Sequence, residues 1–192
     1  MKKEIRNIIG DSILVKQYIL ESEDFIHKIK EASDLLIETF KAGNKVLFCG
    51  NGGSAADAQH IAAELSGRFY FDRPPLPAEA MHVNSSYLTA VANDYGYDEV
   101  YARYLRGVGN KGDVLVGIST SGNSKNIIKA QQVAKEKGIK IISFTGETGG
   151  EMEKQTDILL NVPSKITPRI QESHILLGHI ICELVEDALF SK

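Results

Sequence analysis

Apolar positions recur at helical spacing through the first forty residues of the chain. Beyond them they gather into short unbroken runs punctuated by glycine, proline and hydroxyl residues. Ile5, Ile8, Ile9, Ile13 and Tyr18 keep to one helical face, as do Phe25, Ile29, Leu36 and Phe40. Ser22-Glu23-Asp24 breaks the two helices apart and Gly43 stops the second. Lys45–Cys49, Asp113–Ile118, Ile139–Thr145 and Asp157–Val162 are apolar runs of strand length. Pro77–Val83 is a fifth run, interrupted by Glu79 and His82. Helical patterns fill the gaps: one opening at Ser54, then Tyr87–Ala92, Tyr97–Val108, Lys125–Lys137 and Thr167–Leu189.

Strands alternating with helices predict an α/β fold, a parallel sheet sandwiched between two helical layers. Five strands suit the flavodoxin-like order 2-1-3-4-5, which makes strands 1 and 3 neighbours at the topological switch point. The expected organisation is a single domain, a helical hairpin over 1–42 followed by an αβα core over 43–192. A leading hairpin cannot cover a whole sheet, so its spare apolar face predicts an oligomer.

Composition narrows the class. At 192 residues and 43% hydrophobic, one sizeable core is possible. A net charge of −3 without a basic block argues against a nucleic-acid surface. Cys49 and Cys182 both lie in apolar runs and read as buried thiols of a reducing cytoplasm. The charged N-terminus is no signal peptide, and no stretch is long enough to span a bilayer.

Two loops carry candidate chemistry. After the first strand come Gly50-Asn51-Gly52-Gly53 and then Ser54, which fits an N-cap with Asp57 as its capping-box partner. A strand, a glycine loop and a helix start leave backbone N–H groups free for an anion, although the Rossmann and P-loop spacings are both absent. After the third strand comes Ser119-Thr120-Ser121-Gly122-Asn123-Ser124. Four hydroxyls and the N–H groups of a helix start can satisfy a phosphate without lysine, and a simple cap at Ser124 would need only one of them. The predicted strand order brings both loops to one crevice. His60 and Glu64 share a helical face at i, i+4, a spacing that serves ordinary solvated pairs as well as acid/base or metal chemistry. Gln171 and His179 fall on one side of the last helix, which also holds His174. Asn93 and Asp94 read as turn formers that could also meet a hydroxylated ligand. Arg68 could reach an anion or simply face solvent, and His27 is assigned no role.

The segments CGNGGSAADAQHIAAELSGRF, ANDYGYDEVYARYL, GDVLVGISTSGNSKNIIKA and RIQESHILLGHIICELVE resemble the sugar isomerase (SIS) family, and within it the bacterial phosphoheptose isomerases. The resemblance covers nearly the whole chain, with the motifs in the same order. It implies conversion of D-sedoheptulose 7-phosphate to D-glycero-D-manno-heptose 7-phosphate, the first step toward activated heptose for lipopolysaccharide or other surface glycans. It implies a homotetramer, no nucleotide cofactor, and zinc held by His60, Glu64, Gln171 and His179. Glu64 and His179 would be the base and acid. Asn51, Gly52, Gly53, Ser54, Glu64, Asn93, Asp94, Ser119, Thr120, Ser121, Ser124 and Gln171 would contact substrate. The DnaA-initiator-associating protein shares the fold but lacks a carboxylate at the Glu64 position and a histidine at the His179 position, so a non-catalytic binding module is the alternative. Pro168 departs from the aspartate that some isomerases carry there.

Overall fold

A computed structural model describes residues 1–191; Lys192 lies outside the described residues. The chain opens with α1 (Lys2–Glu21) and α2 (Glu23–Lys41). Ser22 separates them and caps α2 by accepting a hydrogen bond from the Phe25 N–H. β1 (Val46–Gly50), α3 (Gly53–Ser66), β2 (Ala78–Ala80), α4 (Ser85–Tyr95) and α5 (Val100–Val108) follow. β3 (Val114–Ser119), α6 (Lys125–Lys137), β4 (Lys140–Thr145), β5 (Ile158–Asn161) and α7 (Thr167–Phe190) complete the order. The five strands are all parallel and run β2-β1-β3-β4-β5.

Alternation along each strand builds two cores. Val46 and Phe48 of β1 join Val114 and Val116 of β3 and Phe144 of β4 on one face, against α2, α3 and α7. Leu47, Cys49, Leu115 and Ile141 point to the other face, against α5 and α6. Successive side chains point to opposite faces, so strands buried on both sides must read as continuous apolar runs. The two thiols are buried, as their surroundings in the sequence suggested, and burial pushes both well above an ordinary cysteine.

Four local readings need correction. Ser54 is not the N-cap of α3: the cap is Gly52, whose φ of 57° is a backbone state only glycine adopts freely, and Ser54 lies buried in the first turn. The Ser54–Asp57 capping box is therefore absent. The run at Pro77–Val83 gives only a three-residue edge strand. Asn93-Asp94 does not end its helix: α4 runs on to Tyr95 and stops at Gly96. The single helix expected over Tyr97–Val108 is a 3₁₀ turn at Tyr97–Glu99 followed by α5, and a further 3₁₀ segment at Gly150–Gln155 had no counterpart in the sequence reading.

α1 joins the first core only at its C-terminal end, through Ile19 and the partly buried Val15. Only Ile19 is buried in it, while Ile5, Ile8, Ile9, Ile13 and Leu14 are 51% to 64% exposed. It is tied to α7 by polar contacts: Ser12 Oγ donates to Glu172 at 2.7 Å, and Arg169 donates to the Ile8 carbonyl at 3.2 Å. No helix among the described residues is long and apolar enough to cross a membrane.

Candidate active site

The site grows from the carboxyl ends of β1 and β3, which pair in register from Val46↔Val114 to Gly50↔Ile118. Their loops are joined by a reciprocal amide bridge. Asn51 Nδ2 donates to Asn126 Oδ1 at 2.9 Å, and Asn126 Nδ2 donates back to Asn51 Oδ1 at 2.8 Å. The Tyr97 hydroxyl donates to the same Asn51 oxygen at 3.2 Å, and the buried Tyr101 hydroxyl donates to the Gly50 carbonyl.

In the second loop Ser119 is the hub. Its Oγ lies 2.9 Å from Ser124 Oγ and 3.4 Å from Ser121 Oγ. Ser124 occupies the N-cap position of α6, but its hydroxyl turns to Ser119 instead of capping the helix. Thr120 and Ser121 face a cleft of about 230 Å³ whose far wall includes Gly146, Glu147, Lys165 and Thr167. Lys165 pairs with Glu147 at 3.1 Å. Loop hydroxyls that bond to one another and open onto a cleft at a helix N-terminus form a surface suited to a phosphate group.

The second part of the site is built by α3 and α7, which lie side by side and run in the same direction. A Cβ on Gly53 would fall 2.7 Å from the Gln171 amide nitrogen, and one on Gly178 would fall 2.4 Å from Ile61 Cδ1. Gly178 thus admits Ile61 into the helix contact, and the residues beside that contact, His60 and His179, meet as a consequence. His60 Nε2 lies 3.0 Å from Glu64 Oε1 and 3.3 Å from His179 Nε2. The two rings meet edge to face with centroids 5.1 Å apart, and Phe69 backs His179 at 5.9 Å. Asp57, one turn before His60, is half buried; burial raises its carboxyl above the ordinary range and His60 partly offsets the rise.

The donor atoms of His60, Glu64 and His179 all lie within 4.8 Å of one another, so this group could hold a metal ion. Ligands about 2.0–2.2 Å from a tetrahedral zinc sit a little over 3 Å from each other, and two histidines with a glutamate form a catalytic type of donor set with a position left open. Spacings of 3.0 and 3.3 Å fit that requirement. Gln171 does not stand with these three: its amide lies against Gly53, two turns earlier along α3. Asn93 and Asp94 bond to each other at the end of α4, one turn before Tyr97.

Several residues of the site escaped sequence reasoning. Asn126, 3% exposed, lies in the predicted helix Lys125–Lys137 and nothing in the pattern singled it out. Gly178 was the detectable signal, a lone glycine inside a helical pattern that marks close packing. Tyr97, Tyr101 and Lys165 carried no signal of their own.

A parallel 2-1-3-4-5 sheet with a hydroxyl loop at its switch point and a His–Glu–His group beyond defines a doubly wound α/β protein with its site at that point. Residues 15–146 match the family model for the SIS domain. The chain is 55% identical over 190 residues to a phosphoheptose isomerase of Sulfurimonas denitrificans, covering 99% of this chain and 97% of that one. It is 54% identical to that of Aneurinibacillus thermoaerophilus, with 99% and 96% covered. Among solved structures, the phosphoheptose isomerase of Neisseria gonorrhoeae superposes with a TM-score of 0.90 at 42% identity over 97% of this chain and 98% of that one. That of Francisella tularensis gives 0.92 at 35% identity over 96% and 97%. The chain belongs to the SIS domain family and, within it, to the phosphoheptose isomerases.

Proposed function

We propose that the protein interconverts D-sedoheptulose 7-phosphate and D-glycero-D-manno-heptose 7-phosphate, supplying the first intermediate toward activated heptose for surface glycans such as lipopolysaccharide. The observation that supports this most directly is the meeting of Glu64 with His179, through His60, two turns along α3 from the loop that Asn51 ties to Asn126 beside the hydroxyl loop. From Gly53, beside the two loops, to His60 is seven residues of α3, about 10 Å of helix. An extended seven-carbon phosphate ester spans such a distance, so a phosphate held by Ser119, Thr120, Ser121 and Ser124 leaves C1 and C2 near the cluster. We assign the contacts between these two ends to Asn51, Gly52, Gly53 and Ser54, and to Gln171, whose amide lies against Gly53. Asn93 and Asp94 contribute polar groups from the end of α4.

A ketose–aldose shift moves a proton between adjacent carbons through an enediol, which requires a base at carbon and an acid at oxygen. Glu64 takes the carbon-bound proton, and His179 exchanges protons with the carbonyl and hydroxyl oxygens. The remote phosphate contacts orient the reacting end, so binding energy far from the chemistry contributes to rate. Zinc bound by His60, Glu64 and His179 would supply a Lewis acid at the carbonyl. Gln171 would join that set only by turning away from Gly53.

The exposed apolar face of α1 favours assembly with further copies of the chain, which we assign as a homotetramer. A phosphorylated sugar substrate and two buried thiols suit the cytoplasm. The test is a coupled assay with sedoheptulose 7-phosphate, run with solvent-exchange measurement at C1 and C2. Turnover with proton exchange is expected. Binding of the heptose phosphate without exchange would instead make the protein a non-catalytic SIS module, akin in role to the DnaA-initiator-associating protein.

A further inference from the structure

A charged pair lies fully buried just beyond the His–Glu–His group. The side chains of Arg73 and Glu186 are 2% and 1% exposed, and Arg73 Nε donates to Glu186 Oε1 at 2.8 Å. Each is saturated with further partners. Glu186 also accepts from three successive backbone N–H groups, those of Phe69, Tyr70 and Phe71, at 2.9, 2.5 and 3.1 Å. Arg73 donates to the carbonyls of Glu64, Leu65 and Gly67 at 2.9, 2.8 and 3.2 Å. Burial raises the Glu186 carboxyl, but its hydrogen bonds outweigh that and hold it below the ordinary range.

These partners belong to the machinery of the site. The carbonyls of Glu64 and Leu65 are among the last of α3, which the helix itself leaves unpaired, and a cation there suits the helix dipole. One of them is the carbonyl of Glu64 itself. Glu186 sits on α7 two turns after His179. The N–H groups it gathers shape the turn that sets Phe69 against the His179 ring. A single ion pair therefore reaches the main chain of one reacting residue and the packing of the other. A pair kept for stability alone is often replaceable by apolar side chains without loss.

We propose that Arg73 and Glu186 are positioning residues: they fix the spacing of α3 and α7, and the turn bearing Phe69, so that Glu64, His60 and His179 stay within proton-transfer and ligand distance. The inference rests on the isomerase reading above. R73K keeps the charge but loses the fork that reaches Glu186 and four carbonyls, that of Pro74 included, at once. E186Q sets an amide N–H₂ against donors that all require an acceptor.

Both variants are to be measured in the full chain by thermal unfolding, by zinc affinity in competition with a chelator, and by kcat and KM for sedoheptulose 7-phosphate. The expected result is a folded protein whose zinc affinity and kcat each fall about 10- to 100-fold, the usual effect of removing support from a metal ligand. KM should stay within about twofold, because the phosphate loop is remote. Folded variants with lowered Tm but wild-type kcat and zinc affinity would overturn the proposal. If neither variant folds, F69A carries the test on a half-buried ring. Loss of kcat and zinc affinity at unchanged Tm supports the positioning role, and wild-type values for both exclude it. Failure of the isomerase reading looks different: the wild type shows no turnover, while zinc competition still separates it from R73K.

Discussion

His60 Nε2 lies 3.3 Å from His179 Nε2, although the two residues stand 119 positions apart in the chain. Two imidazole nitrogens at that separation cannot both aim lone pairs at each other. A proton on one ring or a bound cation satisfies the pair, and Glu64 Oε1 stands 3.0 Å from the same His60 nitrogen. The arrangement is poised for proton handling or metal binding, and a role in packing alone would not call for it.

Glu64→Gln and His179→Ala should each lower turnover by roughly two to four orders of magnitude, the range for a positioned acid or base. The double variant should be little worse than the poorer single one, because residues acting as a unit are not additive. Steady-state rates decide this. Near-wild-type activity in either single variant would remove that residue from the chemistry.

Chelation should lower activity, and added zinc should restore it. Metal analysis of the active protein should find one zinc per chain, lost together in His60→Ala and His179→Ala. Full activity in metal-free protein would leave Glu64 and His179 as an acid/base pair acting without metal.

Replacing Ser119 and Ser121 by alanine removes the hub of the hydroxyl loop and one of its partners. Hydrogen bonds to a charged group contribute about 1.5–3 kcal/mol each. KM for the phosphorylated sugar should therefore rise at least about tenfold, while far-UV circular dichroism stays unchanged. An unaltered KM would place the phosphate elsewhere.

His174 predicts a pH dependence of stability. Its Nε2 donates to the Thr145 carbonyl at 3.0 Å, while its Nδ1 is buried without a partner. Burial lowers its pKa from 6.5 to about 4, against a smaller opposing effect of the Thr145 carbonyl. The unfolded chain then takes up a proton near pH 6.5 that the folded chain refuses until about pH 4. Stability should be flat from this residue above pH 6.5 and decline as pH falls, by up to about 3 kcal/mol. Glu186, with its lowered carboxyl, adds its own loss as pH falls from the ordinary carboxylate value through its lowered one. Urea unfolding at pH 7 and pH 5 measures the first effect. His174→Gln, which keeps a donor and does not titrate, should abolish it.

Ile9→Glu together with Ile13→Glu places charges on the exposed face of α1. Light scattering should show a smaller assembly with helix content retained. An unchanged mass would move the subunit contact to another surface.

Much of this molecule was legible in the residues, and the exceptions have physical causes. Strands buried on both faces announce themselves as apolar runs, so β1, β3 and β4 were found nearly to their ends; β5, half-buried at the edge of the sheet, is still apolar enough to have been found as well. β2 pairs with β1 alone and over three positions, so little of its apolar run is in the ladder. The start of α3 was misplaced because a glycine at positive φ caps the helix two residues before the serine that looked like the cap. His60 and Glu64 could be paired by helical spacing, which is local. Their meeting with His179 depends on how α3 and α7 align, and spacing within either helix does not reveal it. Asn126, Arg73 and Glu186 share a deeper obscurity: polar residues look solvated until the tertiary structure buries them.

The amide bridge between Asn51 and Asn126 bears on the thermodynamics of binding. Each side chain already has a donor and an acceptor satisfied, and Tyr97 braces the same oxygen. The two loops are therefore ordered before any ligand arrives, and the entropy of fixing them is lost during folding. A phosphate that enters meets a finished surface, so nearly all of its contact energy remains as affinity. Breaking the bridge with Asn126→Ala would leave the loop hydroxyls in place yet make their ordering part of each binding event.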